Sequence, residues 1–435
     1  MESPAIAFVC VILRETAFLC AQMFKTAMKQ YVWEDEGLRT ASANASCSAQ
    51  LRDSTYPPSI KSYKRKPKNY PRKGGGFDHQ LQVWKGGYGA LRCLFLCAPL
   101  SLGVLIAEIT MIFRALKDMN ASVLGFGCWA VGGTWNDTED QTSIRTMRTA
   151  VELGINFFDV APVYGLGHAE TLLGEALKTF EREQLYIATK CGLVWNNPER
   201  AVKNNLTKAS IIEEVDQSLE RLQTEYIDVL QCHWPDPHTP VEETAEGLRA
   251  VVESGKVRHL GVSNFSLKMT KELMQHCELA TYQGLYNLLE PNATHYHNIP
   301  LSYRSRDEII PLCEEHDFKY LPYSPLMQGL LAGTFKASGN FDQNDDRANN
   351  PKLNSPLLEK YLGCADELKA FAEKAGMPLA HLAMGWLMAQ DAVGPIITGA
   401  YQEWQVKENI AVTTRSYDAD LLKGAEDIVA KWALS

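Results

Sequence analysis

The sequence predicts an α/β protein: a (β/α)₈ barrel over residues 111–435, preceded by an N-terminal extension, 1–110, that is largely disordered. Three observations predict it. From Val123 onward, eight short runs rich in β-branched and aromatic residues alternate with amphipathic stretches, the pattern of parallel strands joined by crossover helices. No G-x-G-x-x-G follows the first of these runs, which removes the main support for an open, doubly wound dinucleotide fold. Before residue 110 the alternation is absent altogether.

The strands are expected at Val123–Gly127, Asn156–Val160, Leu185–Thr189, Ile227–Cys232, His259–Ser263, Thr281–Tyr286, Tyr320–Tyr323 and Gly394–Thr398. Each is a short run enriched in β-branched or aromatic residues. Helices are expected at Glu139–Leu153, Glu170–Phe180, Lys208–Leu222, Val241–Ser254, Leu267–Cys277 and Asp307–His316. Gly154, Gly255 and Gly376 stand where helices should stop, because glycine accepts the left-handed conformation that ends a helix.

The extension reads differently. A Ser/Ala-rich stretch leads into KSYKRKPKNYPRKGGG, with seven Lys/Arg between Lys61 and Lys73 and no acid, and residues Ser42–Gly89 are expected to be disordered. The apolar segment Cys93–Ala107 has only 15 uncharged residues between Arg92 and Glu108 and contains Pro99 and Gly103. A spanning helix needs about 20, so no membrane anchor is expected. Residues 1–110 are read as a non-native stretch upstream of a natural start near Met111.

Composition narrows the partners. Hydrophobic residues make up 46% and charged residues 22%, ordinary for a globular protein with a large core. A net charge of −9 excludes a general nucleic-acid binder, which needs a basic surface. The cysteines from Cys128 onward (Cys128, Cys191, Cys232, Cys277, Cys313, Cys364) sit singly in apolar or helical stretches, as reduced thiols of a cytoplasmic protein would. No Cys/His pair has zinc-ligand spacing, so no metal is expected.

In a barrel of this kind the chemistry lies at the C-terminal ends of the strands. The second strand ends in FFDVAPVYG, the third in ATK and the fourth in QCHWP, which offer Asp159, Tyr164, Lys190 and His233. An acid, a phenol, an amine and an imidazole on three successive strand ends have one coherent use. Reduction of a carbonyl by hydride leaves an alkoxide that must be protonated as it forms. Tyr164 would be the general acid, with Lys190 lowering its pKa from about 10. Asp159 would hold Lys190 charged, and His233 would orient the carbonyl.

These motifs carry a resemblance. D-x-A-x-x-Y, A-T-K, H-W-P, G-V-S-N-F, Q-x-x-Y-N and Y-S-P-L occur in the order of the aldo-keto reductase family, which Met111–Ser435 resembles from end to end. HTPVEE, QGLYNLL and YSPLMQGLLAG are similar to its bacterial branch near the inositol-catabolism and general-stress reductases. The resemblance implies a barrel that binds NADP(H) or NAD(H) across its mouth and reduces aldehydes or ketones, small-molecule partners of the chain. It assigns the tetrad to Asp159, Tyr164, Lys190 and His233. It also implies that Tyr323 stacks on the nicotinamide while Ser263, Asn264 and Gln283 bond its carboxamide. Gly127, Cys128 and Trp129 would lie near the nicotinamide ribose and pyrophosphate. Ser324, Leu326, Gln328 and Gly329 would supply the phosphate site after the seventh strand. At the adenine end it implies Gly399, Gln402, Gln405, Glu408 and Asn409. There the branch usually offers Lys-Arg, and this chain has Tyr401-Gln402, so the cation expected on a 2′-phosphate is missing unless Lys407 or Arg347 replaces it.

A second function class shares this fold: nucleotide-sensing auxiliary subunits of the channel β-subunit type. The tetrad alone does not separate the two. The substrate pocket is expected from Trp135 and Asn136, from Trp234–Pro240 and from the long loop Ala332–Ser355.

Overall fold

In a computed structural model, residues 111–132, 139–195, 201–333, 335, 341 and 345–434 are described. The expectations for residues 1–110, and for Trp135 and Asn136, lie outside them, as does part of the loop Ala332–Ser355.

All eight expected strands form, each within about two residues of its expected ends. They are β1 (Leu124–Gly127), β2 (Phe157–Asp159), β3 (Tyr186–Cys191), β4 (Ile227–Cys232), β5 (Val257–Ser263), β6 (Thr281–Leu285), β7 (Lys319–Tyr323) and β8 (Ile396–Gly399). Every neighbouring pair is parallel, and β8 pairs with β1 through Ile396–Leu124 to Gly399–Gly127. The ring closes between β7 and β8: Tyr320 N donates to Ala392 O (2.9 Å) and Gly394 N to Tyr320 O (2.8 Å). β1, β2, β4 and β6 are buried at every residue, so apolar and polar residues do not alternate along them, and the polar ones among them, Asp159, Asp228, Gln231, Thr281 and Gln283, are hydrogen-bonded.

The helices are α1 (Asp140–Glu152), α2 (His168–Leu177), α3 (Lys208–Leu222), α4 (Val241–Glu253), α5 (Leu267–Met274), α6 (Ile310–Glu315), α7 (Leu357–Lys374), α8 (Leu379–Met388), α9 (Glu403–Ile410) and α10 (Ala419–Trp432). α1 and α4 stop where expected, since Gly154 and Gly255 take φ of 95° and 77°. α6 is shorter than its sequence pattern. Pro311, in its first turn, has no amide hydrogen to continue a helix from upstream, and Ser305–Ile309 forms a wider π turn instead.

A hairpin, Phe113–Leu116 with Met119–Ser122, covers the N-terminal end of the barrel. Its Leu116, Met119 and Ala121 pack on Phe157, Ala188, Val229, Leu321 and Ile397, the inward residues of five strands. Asn156 accepts from Ser122 N (2.7 Å) and donates to Asn120 O (3.0 Å), and Arg114 donates to the carbonyls of Gln390 (2.8 Å) and Val393 (2.7 Å). With that end covered, the polar strand ends lie at the opposite mouth of the barrel. No helix among those residues is long and apolar enough to cross a membrane.

Candidate active site

The four side chains read from the strand ends gather inside this mouth. Lys190, near the end of β3, is enclosed: its side chain is 0% exposed. An ammonium so placed must spend its hydrogens on protein acceptors. It donates to both oxygens of Asp159 (3.0 and 2.9 Å), to Val160 O (2.9 Å) and to the Tyr164 hydroxyl (3.3 Å). Asp159 ends β2, and Tyr164 sits in the tight turn that follows, where its amide bonds Ala161 O (3.1 Å). His233 directly follows β4, and its amide continues the ladder to Cys191 O (3.0 Å). Its ring meets Tyr164 edge-on, with centroids 5.8 Å apart at 81°.

The electrostatics differ from the expectation in one respect. Burial, then the charge of Asp159 and the nearby Cys128, pushes the Tyr164 phenol well above its ordinary pKa. Lys190 was expected to lower it. Its charge is instead matched by the buried carboxylate it grips, so a neutral pair, not a bare cation, faces the phenol. Burial and the Lys190 ammonium push His233 well below its ordinary value, so it is a neutral imidazole at physiological pH. Because Lys190 donates to the Tyr164 oxygen, the phenol's own proton is left to donate elsewhere.

The expected carboxamide group is also together, though braced internally. Asn264, in a left-handed conformation (φ 62°), donates to Ser263 Oγ (3.0 Å) and accepts from the hydroxyls of Tyr303 (3.1 Å) and Tyr323 (2.9 Å). Gln283 donates to Asp159 Oδ1 (2.7 Å). After β7, Ser324, Met327, Gln328 and Gly329 all have positive φ (51°, 47°, 51° and 101°), a turn with Leu326 inside it. Concave backbone turns of this kind present amide groups to anions. A Cβ on Gly329 would meet nothing within 4 Å, so the backbone there borders open space. The Gln328 side chain is engaged elsewhere, within 3.0 Å of His297 and accepting from Asn350 (2.7 Å), so its amide nitrogen of the main chain is the group to consider.

Gly127 ends β1, paired with Gly399 of β8, and the buried Cys128 and half-buried Trp129 follow it. A Cβ on Gly127 would come within 2.8 Å of Ile397, whereas Gly399 has open space. At α9, Gln405 accepts from the amides of Tyr401 (2.9 Å) and Gln402 (3.1 Å), and Asn409 donates to Gly399 O (3.4 Å). Both shape this turn from within, while Gln402, Glu408 and Lys407 are exposed. Arg347 grips Asp345 through Nε (2.9 and 3.0 Å).

Sequence reasoning missed three groups here. Gln231 lies two residues before His233, on the same inward face of β4, and the period-2 rule of a strand could have found it. Tyr296 and His297 come from a ribbon in the loop after β6, and no local pattern announces their arrival beside Tyr323 and Trp234 (ring centroids 5.5 and 6.4 Å from Tyr296). No cluster of three or more potential metal ligands occurs among the described residues.

Residues 123–429 match the model of the aldo/keto reductase family. The chain belongs to the aldo-keto reductase family. It is 36% identical to aldo-keto reductase YhdN of Bacillus subtilis over 308 residues, 70% of this chain and 89% of that protein. It is 32% identical to an NADH-specific methylglyoxal reductase of Escherichia coli, over 70% of this chain and 95% of that one. The solved structure of a glycerol dehydrogenase from Gluconobacter oxydans superposes with a TM-score of 0.66 at 35% identity, covering 76% of this chain and 98% of that one. This aldo-keto reductase is accordingly an NAD(P)-dependent oxidoreductase acting on small carbonyl compounds.

Proposed function

We propose that the protein reduces short carbonyl compounds with Tyr164 as general acid. One observation carries the reading: Lys190, fully enclosed, donates to the Tyr164 oxygen while its charge is held by Asp159. The mouth fits a nicotinamide dinucleotide, since the backbone of the left-handed turn Ser324–Gly329 borders open space at Gly329 and that of β8 does so at Gly399. Tyr323, Ser263, Asn264 and Gln283 would hold its nicotinamide end, with Gly127, Cys128 and Trp129 alongside. Ser324, Leu326 and Gly329, with the main chain of Gln328, would hold its phosphates, and Gly399, Gln402, Gln405, Glu408 and Asn409 its adenine end. When bound, the reduced cofactor supplies a hydride to the carbonyl carbon.

The chain's own residues do the rest. Neutral His233 donates an N–H to the carbonyl oxygen and so fixes which face is presented. Tyr164 passes its proton to that oxygen as negative charge gathers there, and the phenolate left behind sits against Lys190. Trp234 and Tyr296, with ring centroids 6.4 Å apart, would supply an aromatic wall of the substrate pocket. Two of the relatives are named for methylglyoxal and glycerol, both short and oxygen-rich, which directs the first assays to compounds of that size. Tyr401-Gln402, with no family arginine, favours use of NADH as well as NADPH. The free thiols of the described cysteines fit a reducing compartment such as the cytoplasm.

The test is Tyr164→Phe, assayed with a panel of short aldehydes and ketones. Reduction should fall by about 10²–10⁴-fold, the range for loss of a general acid, while cofactor binding stays near wild type. Turnover retained in the variant would refute the reading. A wild type that binds cofactor but turns over nothing would favour the auxiliary-subunit class instead.

A further inference from the structure

Asp159 is a buried carboxylate, 3% exposed, and Lys190 supplies only part of its hydrogen bonding. Its Oδ1 atom also accepts from Gln283 Nε2 (2.7 Å) and Gln231 Nε2 (3.3 Å). These two amides differ in prospect. Gln283 is among the residues proposed for the nicotinamide carboxamide, so it faces a competing partner when cofactor arrives. Gln231 has none: it is 0% exposed, inside the barrel below the mouth.

The strand register explains how Gln231 is held. Gln231 pairs with Lys190 across β3–β4 and with Gly261 across β4–β5, and Gly261 pairs with Thr281 across β5–β6. These residues form one level of the barrel. Thr281 Oγ1 donates to Gln231 Oε1 (3.3 Å), which requires the two side chains to meet over Gly261. Any side chain there would collide: a Cβ on Gly261 would stand 2.1 Å from Thr281 Oγ1 and 3.0 Å from Gln231 Cγ. Because its oxygen is fixed by a donor, the Gln231 amide must turn its nitrogen the other way, toward Asp159.

We infer that Gln231 is a positioning residue, anchored by Thr281, that keeps Asp159 oriented on Lys190 when Gln283 is drawn to the cofactor. It touches neither substrate nor cofactor and acts through Asp159 and Lys190 on Tyr164. The inference rests on the tetrad reading above. Without Gln231 the carboxylate has fewer donors and greater freedom, and the ammonium follows it away from the phenol. The consequence falls on proton transfer and not on binding.

The experiment compares full-length wild type, Gln231→Met, Thr281→Val and Tyr164→Phe for carbonyl reduction, alcohol oxidation over a pH series, and NADH affinity by fluorescence. Methionine keeps the length of glutamine without a donor, and valine keeps the shape of threonine without the hydroxyl. Gln231→Met should lower kcat about tenfold, the low end for losing a hydrogen bond to a charged group, as suits a 3.3 Å contact. Its KM for substrate and affinity for NADH should be unchanged. The alkaline limb of alcohol oxidation, which needs the phenolate, should move to higher pH, because an Asp159 charge less well compensated disfavours a second anion nearby. Thr281→Val should move the same limb in the same direction by less, and it keeps the inference open to refutation if Gln231→Met does not fold. An unchanged kcat and pH profile in the folded variants, with Tyr164→Phe inactive, would overturn the inference alone. Full activity in Tyr164→Phe would overturn the tetrad reading on which it rests.

Discussion

Glu214 gives the fold a measurable dependence on pH. It lies on α3 behind the barrel wall and is 7% exposed. Its carboxyl group accepts from Gly192 N with both oxygens (3.1 and 2.9 Å) and meets Ser210 Oγ (2.9 Å), so it fastens the turn just after β3, two residues beyond Lys190. Burial pushes its pKa from 4.5 up to about 7, against the opposing pull of Ser210, Gly192 and Arg221. A folded pKa above the unfolded one means the folded chain holds this proton more tightly. The stability it contributes is fully present below about pH 4.5 and is lost as pH rises through about 7. The gap between 4.5 and about 7 corresponds to roughly 3 kcal/mol at most. Glu214→Gln carries no charge at any pH, and its amide can still accept from Gly192 and donate to Ser210. Urea unfolding should therefore find the variant close to wild type near pH 4.5 and more stable by up to roughly 3 kcal/mol near pH 8. A variant less stable than wild type near pH 8 would refute the reasoning, for it would mean that Gly192, Ser210 and Arg221 hold Glu214 as the anion.

Two further outcomes concern catalysis. With Tyr164 pushed up and His233 pushed down, both groups keep their reducing forms through neutrality, so the reduction rate should be flat from about pH 6 to about 9 while alcohol oxidation climbs with pH; a reductive limb falling near pH 7 would contradict this. Gln402→Arg should raise kcat/KM for NADPH by about tenfold or more, with little change for NADH, since one charge-assisted hydrogen bond to phosphate contributes roughly 1.5–3 kcal/mol; a wild type already strongly selective for NADPH and unmoved by the substitution would show that another cation serves the 2′-phosphate.

The eight strands were legible because burial on both faces favours β-branched, aromatic and other apolar residues, and β4, with Ile227, Val229, Leu230 and Cys232, runs from Ile227 to Cys232 as expected. The four candidate catalytic side chains were legible because strand ends in a barrel all point to one rim. What escaped notice depends on contacts between distant segments. The hairpin of residues 113–122 has strands of four residues each, too short to register as periodic, and it is fixed by packing on five other strands. The ribbon His295–Tyr296 with Ile299–Pro300 lies in a loop, where propensity says little. Gln328 was read as a phosphate ligand from its place after β7, but its side chain is drawn to His297 and Asn350, 31 and 22 residues distant in sequence. No local pattern encodes such a partner.

The pKa of Tyr164 is where sequence reasoning and structure part most clearly, and the difference clarifies what Lys190 contributes. A lysine beside a phenol suggests a depressed pKa only if its charge is unspent. Here Asp159 takes both of its carboxylate oxygens to the ammonium, within 3.0 Å, and Tyr164 receives the longest of the four contacts, 3.3 Å. A phenol with a depressed pKa would be partly ionised before substrate arrived, and an ionised tyrosine has no proton to give. A buried neutral pair avoids that loss, since Tyr164 stays protonated in the ground state. In the proposed mechanism, once the proton began to move to the carbonyl oxygen, negative charge would appear on the phenol at a point where a hydrogen-bond donor is already aimed. The stabilisation would then be realised in the transition state and not before it, and only such a difference accelerates a step. The same logic gives the enclosure of Lys190 a purpose. An ammonium in water would have to shed solvent to follow the developing charge, whereas this one is held in place by Asp159 and Val160 and needs no reorganisation.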